Sequence, residues 1–142
     1  MNFEKAAKKA TELLEDNDCS VKAVSIACDV PYFVAHKALK LQGRKNRKGS
    51  YIPNIRRAFE SLGFKTVQVK HKAATVSSLA NDSTVQQGFF VAVVSRHILA
   101  VVNGKIEDWS KDTRRRIQGV YKVEPAATRK ERKEKRDAIL RA

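Results

Sequence analysis

The chain has 142 residues, with 29 Lys and Arg against 15 Asp and Glu, a formal charge of +14 at pH 7. A hydrophobic share of 42% suits one globular domain with a core of its own, and no apolar run is long enough to span a bilayer. Such a charge excludes a preference for cationic partners and favours polyanions, acidic proteins or anionic surfaces, while specifying no fold.

In chain order, Asn2 to Leu14 sets Phe3, Ala6, Ala7, Ala10, Leu13 and Leu14 on one side of a weak helix. These first residues lack the apolar core of a signal peptide, which leads to the expectation of a soluble, cytoplasmic protein with no membrane partner. Asp18 to about Cys28 predicts a second helix, apolar on most faces through Val21, Ala23, Val24, Ile26 and Ala27, and such a helix belongs in a core. Asp18 stands where a capping residue belongs, its carboxylate available to a free first-turn amide. Asp29-Val30-Pro31 breaks the pattern, and Pro31 suits the first turn of a helix that carries Tyr32, Val34, Ala35, Ala38, Leu39 and Leu41 to a stop at Gly43. Arg44 to Ser50 reads as a basic, turn-rich loop. Tyr51 to Leu62 predicts another amphipathic helix, ended by Gly63.

Phe64 to Val69 alternates as a strand, Thr75 to Ala80 suggests a short helix, and Gly88 to Val94 and His97 to Val102 read as apolar strands. Asn103-Gly104 is the strongest hairpin signal in the chain, with Lys105 to Trp109 returning. Lys111 to Arg116 is a basic loop and Ile117 to Val123 a last strand. Pro125 closes a single domain of residues 1–125, and residues 126–142 read as a charged helix or tail. Helices first and an antiparallel sheet after them define an α+β class.

Cys19 falls in the first turn of the buried helix, where the helix dipole favours a negative charge and lowers a thiol pKa. Cys28 lies nine positions on, about 13 Å away along the helix, too far for a disulfide and on the core side. Two free thiols point to a reducing compartment. A reactive thiol needs a base, and the hairpin supplies one. With a two-residue turn at Asn103-Gly104, Val102 faces Lys105, Val101 faces Ile106, Ala100 faces Glu107 and Leu99 faces Asp108. Alternation then sets His97, Leu99, Val101 and Asp108 on one face. His97 and Asp108 become diagonal neighbours, about 7–8 Å apart between backbones and closer between side chains. Glu107 points to the other face. Thiol, imidazole and carboxylate form a set in which the imidazole takes the thiol proton and the acid orients the imidazole.

Asn17-Asp18-Cys19 opening a buried helix, His97 opening a strand and Asp108 on the next strand resemble a papain-like cysteine peptidase. The layout is similar to that of small bacteriophage-encoded members related to the bacteriocin-processing peptidases. Pro31-Tyr32, Gly43-Arg44 with Gly49, Leu62-Gly63-Phe64 and Asn103-Gly104 fit the same order, so the resemblance runs from Asn17 to Val123. It implies helices packed on an antiparallel sheet with the site between them. Cys19 is then the nucleophile, His97 the general base and acid, and Asp108 the orienting residue. The expected activity is cleavage of a peptide or isopeptide bond in a protein or peptide substrate, inside an infected bacterial cell or a virion. The family has an oxyanion-binding glutamine six residues before the cysteine; here that position is Leu13. Asn17 is the residue expected to supply a side-chain amide instead, beside the Cys19 backbone amide.

No metal and no cofactor is expected, because no His/Cys spacing resembles a zinc site and no glycine-rich phosphate loop is present. His36 and His71 read as surface residues. The basic runs Arg44, Lys45, Arg47, Lys48 and Arg114, Arg115, Arg116 are candidates for contact with nucleic acid or an acidic partner. They carry the alternative function, a papain-like fold without turnover that binds nucleic acid or a host protein.

Overall fold

A computed structural model describes every residue from Met1 to Ala142. Four helices lead: α1 (Phe3–Glu12), α2 (Cys19–Cys28), α3 (Tyr32–Leu41) and α4 (Ile52–Ser61). Strand β1 (Phe64–Val69), the short α5 (Val76–Leu79) and a 3-10 turn at Ser83–Val85 follow. Then come β2 (Phe89–Val94), β3 (His97–Val102), β4 (Lys105–Glu107), β5 (Ile117–Pro125) and α6 (Arg129–Arg141). This is the α+β fold that the residue pattern predicts.

The five strands form one antiparallel sheet in the order β1-β5-β2-β3-β4. Alternation sorts the strand side chains between two cores. Val91, Ile98, Ala100 and Val123 join α1 to α4 in the larger cluster. Phe90, Ala92, Val94, Leu99 and Val101 face the opposite way, onto Val76, Leu79 and Val85 of the segment between β1 and β2. Helix α2 is the hub of the larger core: eight of its ten residues are buried, and it lies against both β3 and α3. Each large apolar side chain so enclosed contributes about 1.5–3 kcal/mol relative to exposure.

Local chemistry accounts for the helix ends. Asn2 caps α1 by accepting the Lys5 amide at 2.9 Å. Pro53 sits in the first turn of α4, where its missing N–H costs nothing. Thr128 and Glu131 form a reciprocal capping box at α6. Residues beyond Pro125 are thus a helix and not a loose tail. It packs on α3, with Ile139 in the larger core and the Lys37 ammonium donating to the Ala142 carbonyl at 2.6 Å. No helix is long and apolar enough to cross a membrane.

Candidate active site

Cys19 is the first residue of α2 and is partly exposed. Asp18 precedes it but does not cap the helix, contrary to expectation. Its backbone (φ −109°, ψ 24°) is not extended as a cap requires. Its carboxylate accepts the Tyr32 hydroxyl at 2.6 Å and pairs with the Lys22 ammonium at 3.1 Å. Burial, then this bond to Asp18, pushes the Tyr32 phenol far above its ordinary pKa. The first-turn amides of α2 therefore carry no side-chain cap and keep their capacity to bind negative charge.

The β3–β4 hairpin has three of the four pairs expected from Asn103-Gly104, Val102 opposite Lys105, Val101 opposite Ile106 and Ala100 opposite Glu107; the fourth, Leu99 opposite Asp108, does not form, because the ladder ends at Glu107. Asn103 and Gly104 both have positive φ, +49° and +82°, as a tight hairpin of this length demands. Asp108 is one residue past β4, and its carboxylate meets the His97 Nε2 at 2.7 Å with both side chains nearly buried. The backbone amide of Ser110 donates to the same carboxylate oxygen at 3.1 Å and its hydroxyl donates there as well. Glu107 lies on the other face, where it accepts the Phe3 amide at 2.9 Å and so helps tie α1 to the sheet.

With Nε2 held by Asp108, Nδ1 is the ring nitrogen free to serve the thiol. Burial of the Cys19 thiol alone would raise its pKa. The interaction with the His97 ring, the Ile98 backbone amide and the charge of His97 outweigh burial and the opposing Asp108, and hold it below the ordinary thiol value. For His97, burial lowers the pKa, but the bond to Asp108 and the interaction with Cys19 raise it from 6.5 to about 9. Both shifts favour a thiolate–imidazolium pair at neutral pH. Cys28, buried at the far end of α2, is pushed the other way by burial and stays a thiol.

Cys19, Arg96 and His97 stand where two arms of a cleft meet. One arm, of about 530 Å³, is apolar, walled by Ile52, Ile55, Val93, Val94 and Ile98, with Tyr51 and Gln118 at its edge. Gln118 is the extra residue of a bulge where β5 passes β2: Val93 pairs with Gly119, and Val94 with Ile117. The other arm, of about 560 Å³, is polar and carries Asp16, Asn17, Lys22, Trp109 and Arg115. Trp109 is 59% exposed, with its ring 5.2 Å from the His97 ring and the Arg115 guanidinium 5.6 Å above it. Trp109, Ser110 and Gln118 have no place in the sequence-based reading. The only trace of them there is one tryptophan directly after the aspartate.

Several expectations need correction. Asn17 has a left-handed backbone (φ +49°), and its side-chain amide donates one N–H to the Arg47 carbonyl at 3.2 Å, holding the loop, while the second N–H has no partner. Arg44 is not a surface charge: it is 5% exposed and bonded to both carboxylate oxygens of Glu15, at 3.1 and 3.3 Å. His36 is also drawn inward, with Nε2 2.7 Å from the same carboxylate. His71 is half-buried against the Ala73 carbonyl. Lys45, Arg47, Lys48, Arg114 and Arg116 are exposed as expected, while Arg115 is partly covered on Trp109 and donates to the Ser95 carbonyl at 3.3 Å.

No group of three or more His, Cys, Asp or Glu side chains converges in a way that could hold a metal ion. No family model matches the chain, and neither does any curated protein or any solved structure.

Proposed function

We propose that the protein is a thiol hydrolase of papain-like layout, acting on a peptide or isopeptide bond, with Cys19 as nucleophile, His97 as general base and acid, and Asp108 as the orienting residue. The observation that carries this reading is the His97–Asp108 pair at 2.7 Å, with His97 and the Cys19 thiol lining the same cleft. The Cys19 thiolate attacks the substrate carbonyl carbon; an S–C bond forms and the carbonyl oxygen takes the negative charge. The uncapped first-turn amides of α2, Cys19's own included, are donors available to that oxygen. Collapse of the intermediate breaks the C–N bond, and the leaving amine takes the His97 proton. Water, deprotonated by His97, then releases the acyl group and restores the thiol pair. Asp108 keeps Nδ1 towards the thiol throughout.

The test is digestion of a mixed peptide library, read by mass spectrometry, with the intact protein and with Cys19→Ala and His97→Ala. Cleavage by the intact protein alone supports the reading. Cleavage that survives both substitutions, or that never occurs, contradicts it.

A second reading, nucleic-acid binding without turnover, draws on two observations. One N–H of the Asn17 side-chain amide is given to the Arg47 carbonyl, and the exposed charges of Lys45, Arg47, Lys48, Arg114 and Arg116 have no role in the chemistry. Steep salt dependence of binding to DNA or RNA together with an inert Cys19 would favour it.

A further inference from the structure

Most charges that face the two arms of the cleft are already engaged inside the protein. Glu15 is held by Arg44, Asp18 by Lys22 and Tyr32, Asp108 by His97 and Ser110, and Arg115 lies on Trp109. Arg96 is different. It is exposed, lines both arms, and has no hydrogen-bond or ion-pair partner for its guanidinium. It also occupies a demanding backbone position. Ser95 and Arg96 make the two-residue connection between the paired residues Val94 and His97, and Arg96 has φ +57°. Glycine or asparagine would take that left-handed conformation with less strain. A strained, unpartnered cation directly before the catalytic histidine points to a role in the cleft.

Its surroundings specify the ligand. The apolar arm contains no acid: its wall is Ile52, Ile55, Val93 and Val94. At its rim stands Tyr51, 81% exposed, on a loop that carries the exposed Lys45, Arg47 and Lys48. We infer that this cleft takes an acidic polypeptide segment, with an apolar side chain against Ile52, Ile55 and Val93 and a neighbouring carboxylate on the Arg96 guanidinium. This rests on the thiol-hydrolase reading and adds its substrate class. A polyphosphate strand fits the cleft less well, because the polar arm opposite presents the exposed Asp16 carboxylate and the apolar arm has a single lysine or arginine, Arg96, in its lining. The carboxylate has two sources, an acidic side chain or the C-terminus of the bound chain.

The experiment measures protection of Cys19 from iodoacetamide, read by peptide mapping. The probes are acetyl-Leu-Glu-amide, acetyl-Leu-Gln-amide, acetyl-Leu-Leu with a free carboxylate, and acetyl-Leu-Leu-amide. A charge-assisted pair predicts that a peptide with a carboxylate protects at about tenfold lower concentration than its amide counterpart. The Glu/Gln comparison reads the side-chain source and the acid/amide comparison the terminal source. Arg96→Gln should abolish the difference and Arg96→Lys should retain part of it. Arg96→Asn, which suits the left-handed turn, guards against misfolding as the cause. Selective alkylation of Cys19 with equal protection by acid and amide peptides, or with none, overturns the inference and leaves the thiol chemistry standing. Protection by an oligonucleotide and by no peptide also overturns it. If Cys19 is not selectively alkylated even without peptide, the hydrolase reading fails and this inference fails with it.

Discussion

Replacing Arg44 by methionine should destabilise the protein far more than the same change at the adjacent Lys45. Arg44 donates to both oxygens of Glu15 and to the Asp16 carbonyl at 3.4 Å, and the side chains of Arg44 and Glu15 are 1% and 3% exposed. Removing one member of such a buried pair costs about 3–5 kcal/mol, because the other charge is left without its partner. Glu15 allows an independent check by pH. Burial raises its pKa, but the bonds from Arg44 and His36 and the Arg47 amide outweigh it, taking the carboxyl from 4.5 to about 2. That difference corresponds to about 3 kcal/mol. The folded value lies below the unfolded one, so the contribution is complete above pH 4.5 and is lost as the pH falls towards 2. Urea unfolding is the assay. With a slope of about 1.5 kcal/mol per molar, Arg44→Met should lower the midpoint at pH 7 by roughly 2 M. Lys45→Met, at an exposed position, should change stability by no more than about 0.5 kcal/mol. Between pH 5 and 3 the intact protein should lose more stability than Glu15→Gln. Equal midpoints for the Arg44 and Lys45 variants would refute the buried-pair account.

Asp108→Asn should leave Cys19 in place but slow its reaction with iodoacetamide at pH 6 by about tenfold or more, whereas Glu107→Gln, whose partner is the Phe3 amide, should leave that rate unchanged. Peptide cleavage should decline above about pH 9, because His97 must carry a proton for the leaving amine and its pKa is raised to about 9; a pH profile of kcat/KM reads this directly. If nucleic acid binds, neutralising Lys45, Arg47 and Lys48 together should flatten the log–log salt slope by up to roughly three units, and neutralising the buried Arg44 should not add a fourth.

The parts of the site that local chemistry determines were legible before the fold was known. Asn103-Gly104 dictates a two-residue hairpin, the hairpin dictates the register, and the register brings His97 towards Asp108 and turns Glu107 away. The apolar run after Cys19 marks a core helix by the same local logic, since most of its faces are apolar and only Cys19 and Lys22 reach solvent. What escaped depends on partners distant in the chain. Glu15 buries Arg44 across 29 residues, and Tyr32 draws the Asp18 carboxylate away from the amides it was expected to cap. Asn17 is captured by a carbonyl 30 residues ahead. The insertion of β5 between β1 and β2 likewise follows from which strand faces fit which core, and no turn residue announces it. Alternation also ends with β4, so Asp108 owes its final position to Ser110 as much as to the ladder.

The central claim is that Cys19 is a thiolate made by His97 and Asp108. Iodoacetamide labelling across pH 5 to 9, with both cysteines quantified by peptide mapping, tests it most directly. The account predicts rapid modification of Cys19 at pH 6, well below the free-thiol pKa of about 8.5, with Cys28 untouched until the protein is unfolded. His97→Ala should return the Cys19 profile to that of an ordinary thiol. Slow and equal modification of the two cysteines at pH 6, or a Cys19 profile unchanged by His97→Ala, would contradict it.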